Sequence, residues 1–316
     1  MVLWTVENKP MTYGKVLLLF TLFALIISST CYARDLTDVK TKAKSSIKSI
    51  TSYLNPRKLK LRSSSAMVMD QGNGRILFRR GVDKPRPIAS ITKLMTAMVV
   101  LDADLEMGRK ITITKADKDR KRYSRSRLRF GTALTRSELL QLALMASENR
   151  AASALARTYP GGSKAFVRAM NRKARSIGMM RSRFADPTGL DSRNMATAVD
   201  LAKMVKAAYG YDSIRKYTTK PWSLLFTKRK IMKFNNTNRL VRKDNWDIGL
   251  SKTGFISDAG YCLVMQANIS DRPVLIILLN SWGKLSKFGD ANRIKKWLQG
   301  AEKRMLHDKL KTASTS

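Results

Sequence analysis

The chain has 316 residues, 61 of them Lys or Arg and 23 Asp or Glu, for a net charge of +38. Apolar residues make up 44 % and charged residues 27 %, a globular balance that excludes wholesale disorder and a multi-span membrane protein. A single histidine, His307, excludes a multi-histidine zinc site and argues against a Ser-His-Asp triad.

At the N-terminus, Lys15 precedes Val16 to Ile27, an apolar run of twelve residues broken only by Thr21. Small residues follow, ending in Cys31-Tyr32-Ala33. This pattern is that of a secretory signal over 1–33, with Met11 as an alternative start. The run is shorter than the ~20 residues that span a bilayer. It implies an exported, periplasmic bacterial chain. The alternative is an uncleaved leader that keeps the chain at the membrane. If Cys31 leaves with the leader, Cys262 has no disulfide partner. Outside the cytoplasm the positive charge points away from nucleic acid and toward an anionic wall or membrane surface. A general basic bias with no specific partner is the alternative.

Residues 34–65 read as a basic tether with too few apolar residues for a core. The folded domain is expected over 66–300, with a basic tail at 301–316. Ala66 to Met69 and Arg75 to Phe78 flank Asp70-Gln71-Gly72-Asn73-Gly74, which predicts a β-hairpin. Ile88 to Leu101 is apolar nearly all round, as in a buried helix. Residues 109–130 are very basic and read as an exposed loop or edge. Thr135-Arg136-Ser137-Glu138 is a capping box opening a helix through Met145. Ser147-Glu148-Asn149 separates it from a second helix, Ala151 to Arg157, which Pro160-Gly161-Gly162 stops. Further helices are predicted at 163–177 and 197–209. Ile248 to Thr253, Gly260 to Ala267 and Pro273 to Leu279 read as strands joined by short turns, hence antiparallel. Lys284 to Gly300 reads as a final helix. Strands at both ends therefore enclose a helical middle. The simplest assembly is one sheet built from both ends, with helices on its faces and a helical insertion.

Three short motifs carry chemistry. In Ser90-Ile91-Thr92-Lys93 the serine and lysine share one face of a buried helix. A desolvated lysine can be neutral, and a neutral amine beside a hydroxyl is a base beside a nucleophile. Ser-x-x-Lys also occurs at Ser45/Lys48, Ser213/Lys216 and Ser281/Lys284, but only Ser90/Lys93 opens an apolar helix. The plainer reading is a lysine snorkelling from a core helix. Ser147 and Asn149 can point into one cleft from a tight turn, or can simply cap helices; Ser192-Arg193-Asn194 has the same pattern. Lys252-Thr253-Gly254, followed by Phe255, offers a cation and a hydroxyl for a carboxylate, and a glycine that lets a ligand backbone approach. Its plainer reading is an exposed lysine at a strand end.

In this order, the motifs resemble the signature of the serine penicillin-recognising enzymes. The longer stretches RPIASITKLMTAMVVLDA (86–103), LALMASENRAA (142–152), DPTGL (186–190), NTNRLV (236–241) and KTGFISDAGYCLVM (252–265) resemble the low-molecular-mass penicillin-binding proteins, in particular their D-alanyl-D-alanine endopeptidases. The resemblance implies an α/β (α+β) fold, a five-stranded antiparallel sheet flanked by helices plus an all-helical lobe, of DD-peptidase/β-lactamase type. It implies that Ser90 attacks a D-alanine carbonyl in a peptidoglycan crosslink while Lys93 takes the serine proton. Ser147, supported by Asn149 and Lys252, would pass a proton to the leaving amine. Backbone N–H groups of Ser90 and Phe255 would bind the oxyanion, and Lys252 and Thr253 the substrate carboxylate. It implies β-lactam antibiotics as covalent inhibitors, and neither cofactor nor metal. One departure stands out: relatives carry threonine after Lys-Thr-Gly-Phe, where this chain has Ile256 and then Ser257.

Three rivals remain at this level. A D-Ala-D-Ala carboxypeptidase differs only in leaving group, and a non-catalytic wall-binding protein could keep the fold. A class A β-lactamase would need a glutamate after Ser-x-Asn, and none occurs between Glu148 and Glu302.

Overall fold

Continuous burial along three long C-terminal strands sets the architecture. The computed structural model describes residues 50–226 and 230–314; the expected signal and most of the tether lie outside these. Of the residues before Tyr53, only Ile50–Ser52 are described, within one helical turn, Ile50–Tyr53. From Tyr53 onward the chain is one unit. No helix among the described residues is long and apolar enough to cross a membrane.

In chain order the strands are β1 (Ser63–Asp70), β2 (Ile76–Arg80), β3 (Arg86–Pro87), β4 (Lys110–Thr112), β5 (Ala133–Thr135), β6 (Met195–Ala196), β7 (Trp222–Phe226), β8 (Ile231–Asn235), β9 (Asp247–Ile256), β10 (Gly260–Ile269) and β11 (Arg272–Ser281). The helices are α1 (Thr92–Asp102), α2 (Arg136–Met145), α3 (Asn149–Arg157), α4 (Gly162–Ser176), α5 (Ala198–Tyr209), α6 (Asp212–Thr219) and α7 (Ser286–Ser314).

The main sheet has five strands in the order β2-β1-β11-β10-β9, all antiparallel. Strand alternation sends Met67, Val264, Ile277 and Leu279 into the main core beneath α5. Their neighbours Val68, Leu263, Ile276 and Leu278 are equally buried and face α7, which brings Phe288, Ile294 and Leu298. Burial on both faces explains why these strands read as unbroken apolar runs. The α7 helix is also tied to the start of β1. The buried Asp290 carboxylate accepts from the backbone N–H groups of Arg62 (2.9 Å) and Ser63 (2.8 Å) and from the Ser63 hydroxyl (2.5 Å).

The apolar helix read at 88–101 is α1, entered through a 3-10 turn at Ala89–Ile91. It packs against α2, α3, α4 and α5, so every face is covered. The capping box forms as read: Thr135 Oγ1 accepts from Glu138 N (3.1 Å), and Glu138 accepts from Thr135 N (2.7 Å).

Three boundaries differ from the sequence reading. The sheet starts at Ser63, inside the expected tether, because Ser63 and Ser65 are buried beside β11. The final helix runs on to Ser314 rather than ending before a tail, although beyond Ala301 it turns largely to solvent. The basic stretch 109–130 is more than an exposed loop. It holds β4, buries Ile111, Ile113 and Leu128, and returns to the centre of the molecule. The helix α6 and the hairpin β7–β8 had no counterpart in the sequence reading.

Candidate active site

Ser90 sits in a turn whose shape is imposed from outside. Ala89 has φ +47°, a left-handed conformation that costs an L-residue energy. Two glycines hold it there. A Cβ on Gly189 would lie 1.9 Å from the Ala89 carbonyl oxygen, and one on Gly254 would lie 2.9 Å from that of Ile88 and 3.1 Å from Ser90 N. The nucleophile turn is thus clamped between the backbone of β9 and that of the 186–191 loop.

Lys93, one helical turn on from Ser90, is fully buried. Its Nζ lies 2.7 Å from Ser90 Oγ. It donates to Asn149 Oδ1 (2.8 Å) and to the Thr188 carbonyl (2.7 Å). Those two partners can only accept. A neutral amine has two N–H groups and one lone pair, so this arrangement leaves the lone pair for the Ser90 proton. Burial pushes the ammonium down to about 7, against the raising influence of the Asp186 and Glu148 carboxylates. The pair therefore has the protonation state and the distance that general-base activation of a hydroxyl needs.

Ser147 adopts φ +61°, which turns its hydroxyl back between α2 and α3 to lie 3.0 Å from Lys252 Nζ. Lys252 is also fully buried, and burial together with nearby Lys93 holds its pKa well below the ordinary lysine range. Asn149 donates its amide N–H to Ser124 Oγ (2.9 Å), which fixes the orientation that offers Oδ1 to Lys93. Between the two, Glu148 points away from the amines and accepts from Ser126 Oγ (2.7 Å) and Arg127 N (3.1 Å). Glu148→Gln removes a charge that favours the ammonium form of Lys93. The acid limb of the acylation rate then moves to lower pH, measurable as rate against pH with a chromogenic β-lactam; an unmoved limb would separate Glu148 from that titration.

At the strand edge, Thr253 Oγ1 donates to Thr237 Oγ1 (2.7 Å), and Phe255 stacks on Tyr261 with centroids 4.2 Å apart. The departure at Ile256 resolves into two parts. Ile256 is buried in the core, whereas Ser257 is exposed and accepts from Arg122 Nη1 (3.0 Å). Arg122 also pairs with Asp258 and donates Nε to the Leu190 carbonyl (2.8 Å), so it ties the end of β9 to the 186–191 loop.

The residues read from the sequence thus meet in one place: hydrogen bonds join Ser90 and Asn149 to Lys93 and, separately, Ser147 to Lys252, the two buried amines are close enough to act on each other electrostatically, and Gly254 packs on the Ser90 turn. Sequence reasoning missed Ser124, Thr237 and the Thr188 carbonyl. The last is a backbone atom, which no side-chain motif announces. The decoys resolve too. Lys216 and Lys284 are exposed, and Ser45/Lys48 lies outside the described residues. Asn194 is structural, accepting from Ala185 N (2.6 Å) and Asp186 N (3.2 Å). Cys262 is buried, and burial pushes its thiol up to about 11, which suits strand packing rather than reactivity.

Comparison with known proteins agrees with this geometry. The family model described as D-alanyl-D-alanine carboxypeptidase, peptidase S11, matches residues 51–282. A D-alanyl-D-alanine endopeptidase of Pseudomonas aeruginosa is 44 % identical over 246 residues, covering 77 % of this chain and 79 % of that protein. One from Escherichia coli is 44 % identical over 239 residues, covering 75 % and 77 %. The crystal structure of the Streptomyces K15 DD-transpeptidase superposes with a TM-score of 0.70 at 29 % identity, over 76 % of this chain and 97 % of that one. With a buried Lys93 beside Ser90 and this extent of similarity, the chain belongs to the D-alanyl-D-alanine carboxypeptidase family of serine peptidases, the S11 family of low-molecular-mass penicillin-binding proteins.

Proposed function

We propose that this chain is a DD-endopeptidase that cuts D-alanyl–diamino acid crosslinks in peptidoglycan on the periplasmic side of a bacterial envelope. The observation that carries the reading is the buried Lys93 amine, 2.7 Å from Ser90 Oγ with its two N–H groups directed at acceptors. The endopeptidase assignment is favoured over carboxypeptidase because the endopeptidases of P. aeruginosa and E. coli are 44 % identical, against 30 % for a Bacillus subtilis carboxypeptidase.

Ser90 Oγ bonds to the D-alanine carbonyl carbon as its proton passes to Lys93. The oxyanion forms beside Ser90 N and Phe255 N; a donor of this kind contributes about 3–4 kcal/mol. The C–N bond then breaks as Ser147, polarised by Lys252, gives its proton to the departing side-chain amine and regains one from the Lys93 ammonium, which leaves Lys93 neutral again. Water hydrolyses the ester and restores Ser90. Lys252 and Thr253 hold the substrate carboxylate. β-Lactams acylate Ser90 and leave slowly, because no glutamate between Glu148 and Glu302 activates a deacylating water.

Purified dimeric muropeptides and pentapeptide monomers, each incubated with the enzyme and weighed by mass spectrometry, test the reading. Monomers from dimers are expected, and Ser90→Ala abolishes both them and labelling by a fluorescent penicillin. Loss of a single alanine from pentapeptides with dimers left intact would make the enzyme a carboxypeptidase. Labelling that survives Ser90→Ala would place the nucleophile elsewhere.

A further inference from the structure

The hairpin β7–β8 breaks the rule its own alternation sets. Ser223, Leu225, Met232 and Phe234 point inward and are buried. The outward positions of a one-sided antiparallel pair are ordinarily polar. Here β7 presents Trp222, Leu224 and Phe226 and β8 adds Ile231 beside the polar Lys233 and Asn235, with Phe226 69 % and Ile231 61 % exposed. Register makes them one patch: Phe226 faces Ile231, and Leu224 faces Lys233, whose ammonium lies 5.0 Å above the Trp222 ring.

The charge along this stretch of sequence is of one sign. Between Asp212 and Asp244 the sequence has ten Lys or Arg and no acidic residue. An apolar patch with a cationic fringe is complementary to a surface that is apolar within and anionic outside. Phe226 and Ile231, the most exposed of these side chains, pair at the last rung of the described ladder, so the patch reaches its tip. A tip enters a fluid layer without a matching concavity, which a folded protein partner would have to supply.

We propose that the β7–β8 hairpin seats its outer face in the headgroup region of an anionic phospholipid bilayer. Trp222, Phe226 and Ile231 enter the interface while Lys233 and its basic neighbours contact the headgroups. This surface is joined to the catalytic cleft. β8 continues into Thr237, the acceptor for Thr253, and Arg127 donates to the Lys233 carbonyl (2.6 Å). Docking there would fix how the cleft faces the wall above the membrane.

The test is co-sedimentation of the full chain with vesicles of phosphatidylcholine alone or with about 30 % phosphatidylglycerol. Wild type binds the anionic vesicles, and added salt weakens the binding. The double variant Phe226→Ser/Ile231→Ser partitions about tenfold less or weaker still, and Lys233→Glu lowers binding to anionic vesicles alone. Fluorescent penicillin labelling stays at the wild-type level in both, which shows the fold intact. Every variant keeps the same N-terminal apolar run, so the difference isolates the hairpin. The proposal is overturned if the double variant binds like wild type, if binding ignores lipid charge, or if it is lost only on Leu306→Ser/Leu310→Ser in α7. A dimer in solution that Phe226→Ser/Ile231→Ser dissolves, without vesicle binding, would give the patch to a second copy and overturn it equally.

Discussion

Lys93→Ala lowers the rate of Ser90 acylation by a fluorescent penicillin about 10²–10⁴-fold, the usual contribution of a positioned general base. The variant keeps the hydroxyl and the oxyanion donors but loses the lone pair that receives the proton. In wild type, the same assignment fixes the pH dependence. Lys93 titrates at about 7, and the neutral form is the active one. The rate therefore falls about tenfold per pH unit below that value and levels off above it. Lys93→Ala is expected to lose this limb along with the rate. Near-wild-type acylation, or a limb that persists in the variant, would return Lys93 to a packing role. Circular dichroism separates this from unfolding.

Gly189→Ala is expected to disable the enzyme from a position that carries no functional group. The residue has φ +83°, which costs an alanine about 1–2 kcal/mol. Its new Cβ would also lie 1.9 Å from the Ala89 oxygen and 2.8 Å from Ser90 N, so the Ser90 turn has to move. Overpacking of this kind adds about 1–3 kcal/mol. Together these lower the melting temperature by roughly 5–20 °C. Penicillin labelling falls with it, because neighbouring Thr188 supplies a carbonyl to Lys93. Gly74→Ala is the internal control: φ is +72° there, with no atom within 4 Å of the added carbon, so only the strain remains. If thermal melts rank the two variants equally, the clamp on the nucleophile is not the reason for glycine at 189.

Much of the site was legible because its chemistry is carried by side chains in short local patterns. Ser90 and Lys93 are three residues apart, in a 3-10 turn and the first turn of the helix it opens, and Lys252 to Phe255 are consecutive on one strand. The long apolar runs gave β9 to β11 because burial on both faces removes polar interruptions. What escaped is long-range or backbone. Ser124 reaches Asn149 from a stretch so rich in arginine that it reads as solvated. Yet two of its cations bind back into the fold, where Lys121 pairs with Asp191 and Arg122 with Asp258. The β7–β8 hairpin was missed because Thr227-Lys228-Arg229-Lys230 contains none of the glycine, asparagine or aspartate that mark tight turns. The C-terminal helix outran its reading because its last turns are helix formers with little left to bury.

The placement of β1 between β2 and β11 bears on when this enzyme can assemble. Met67 finds Ile277 across the ladder, and Asp290 closes over Ser63 later still. At a synthesis rate of about 5–20 residues per second, roughly 10–40 s separate the two strands as they leave the ribosome. Until then the hairpin β1–β2 has an open edge and no sheet to join, so the central pairing of the main sheet waits for nearly the whole of translation. A chain whose closing strand arrives last completes its nucleophile-bearing core only once synthesis is almost finished.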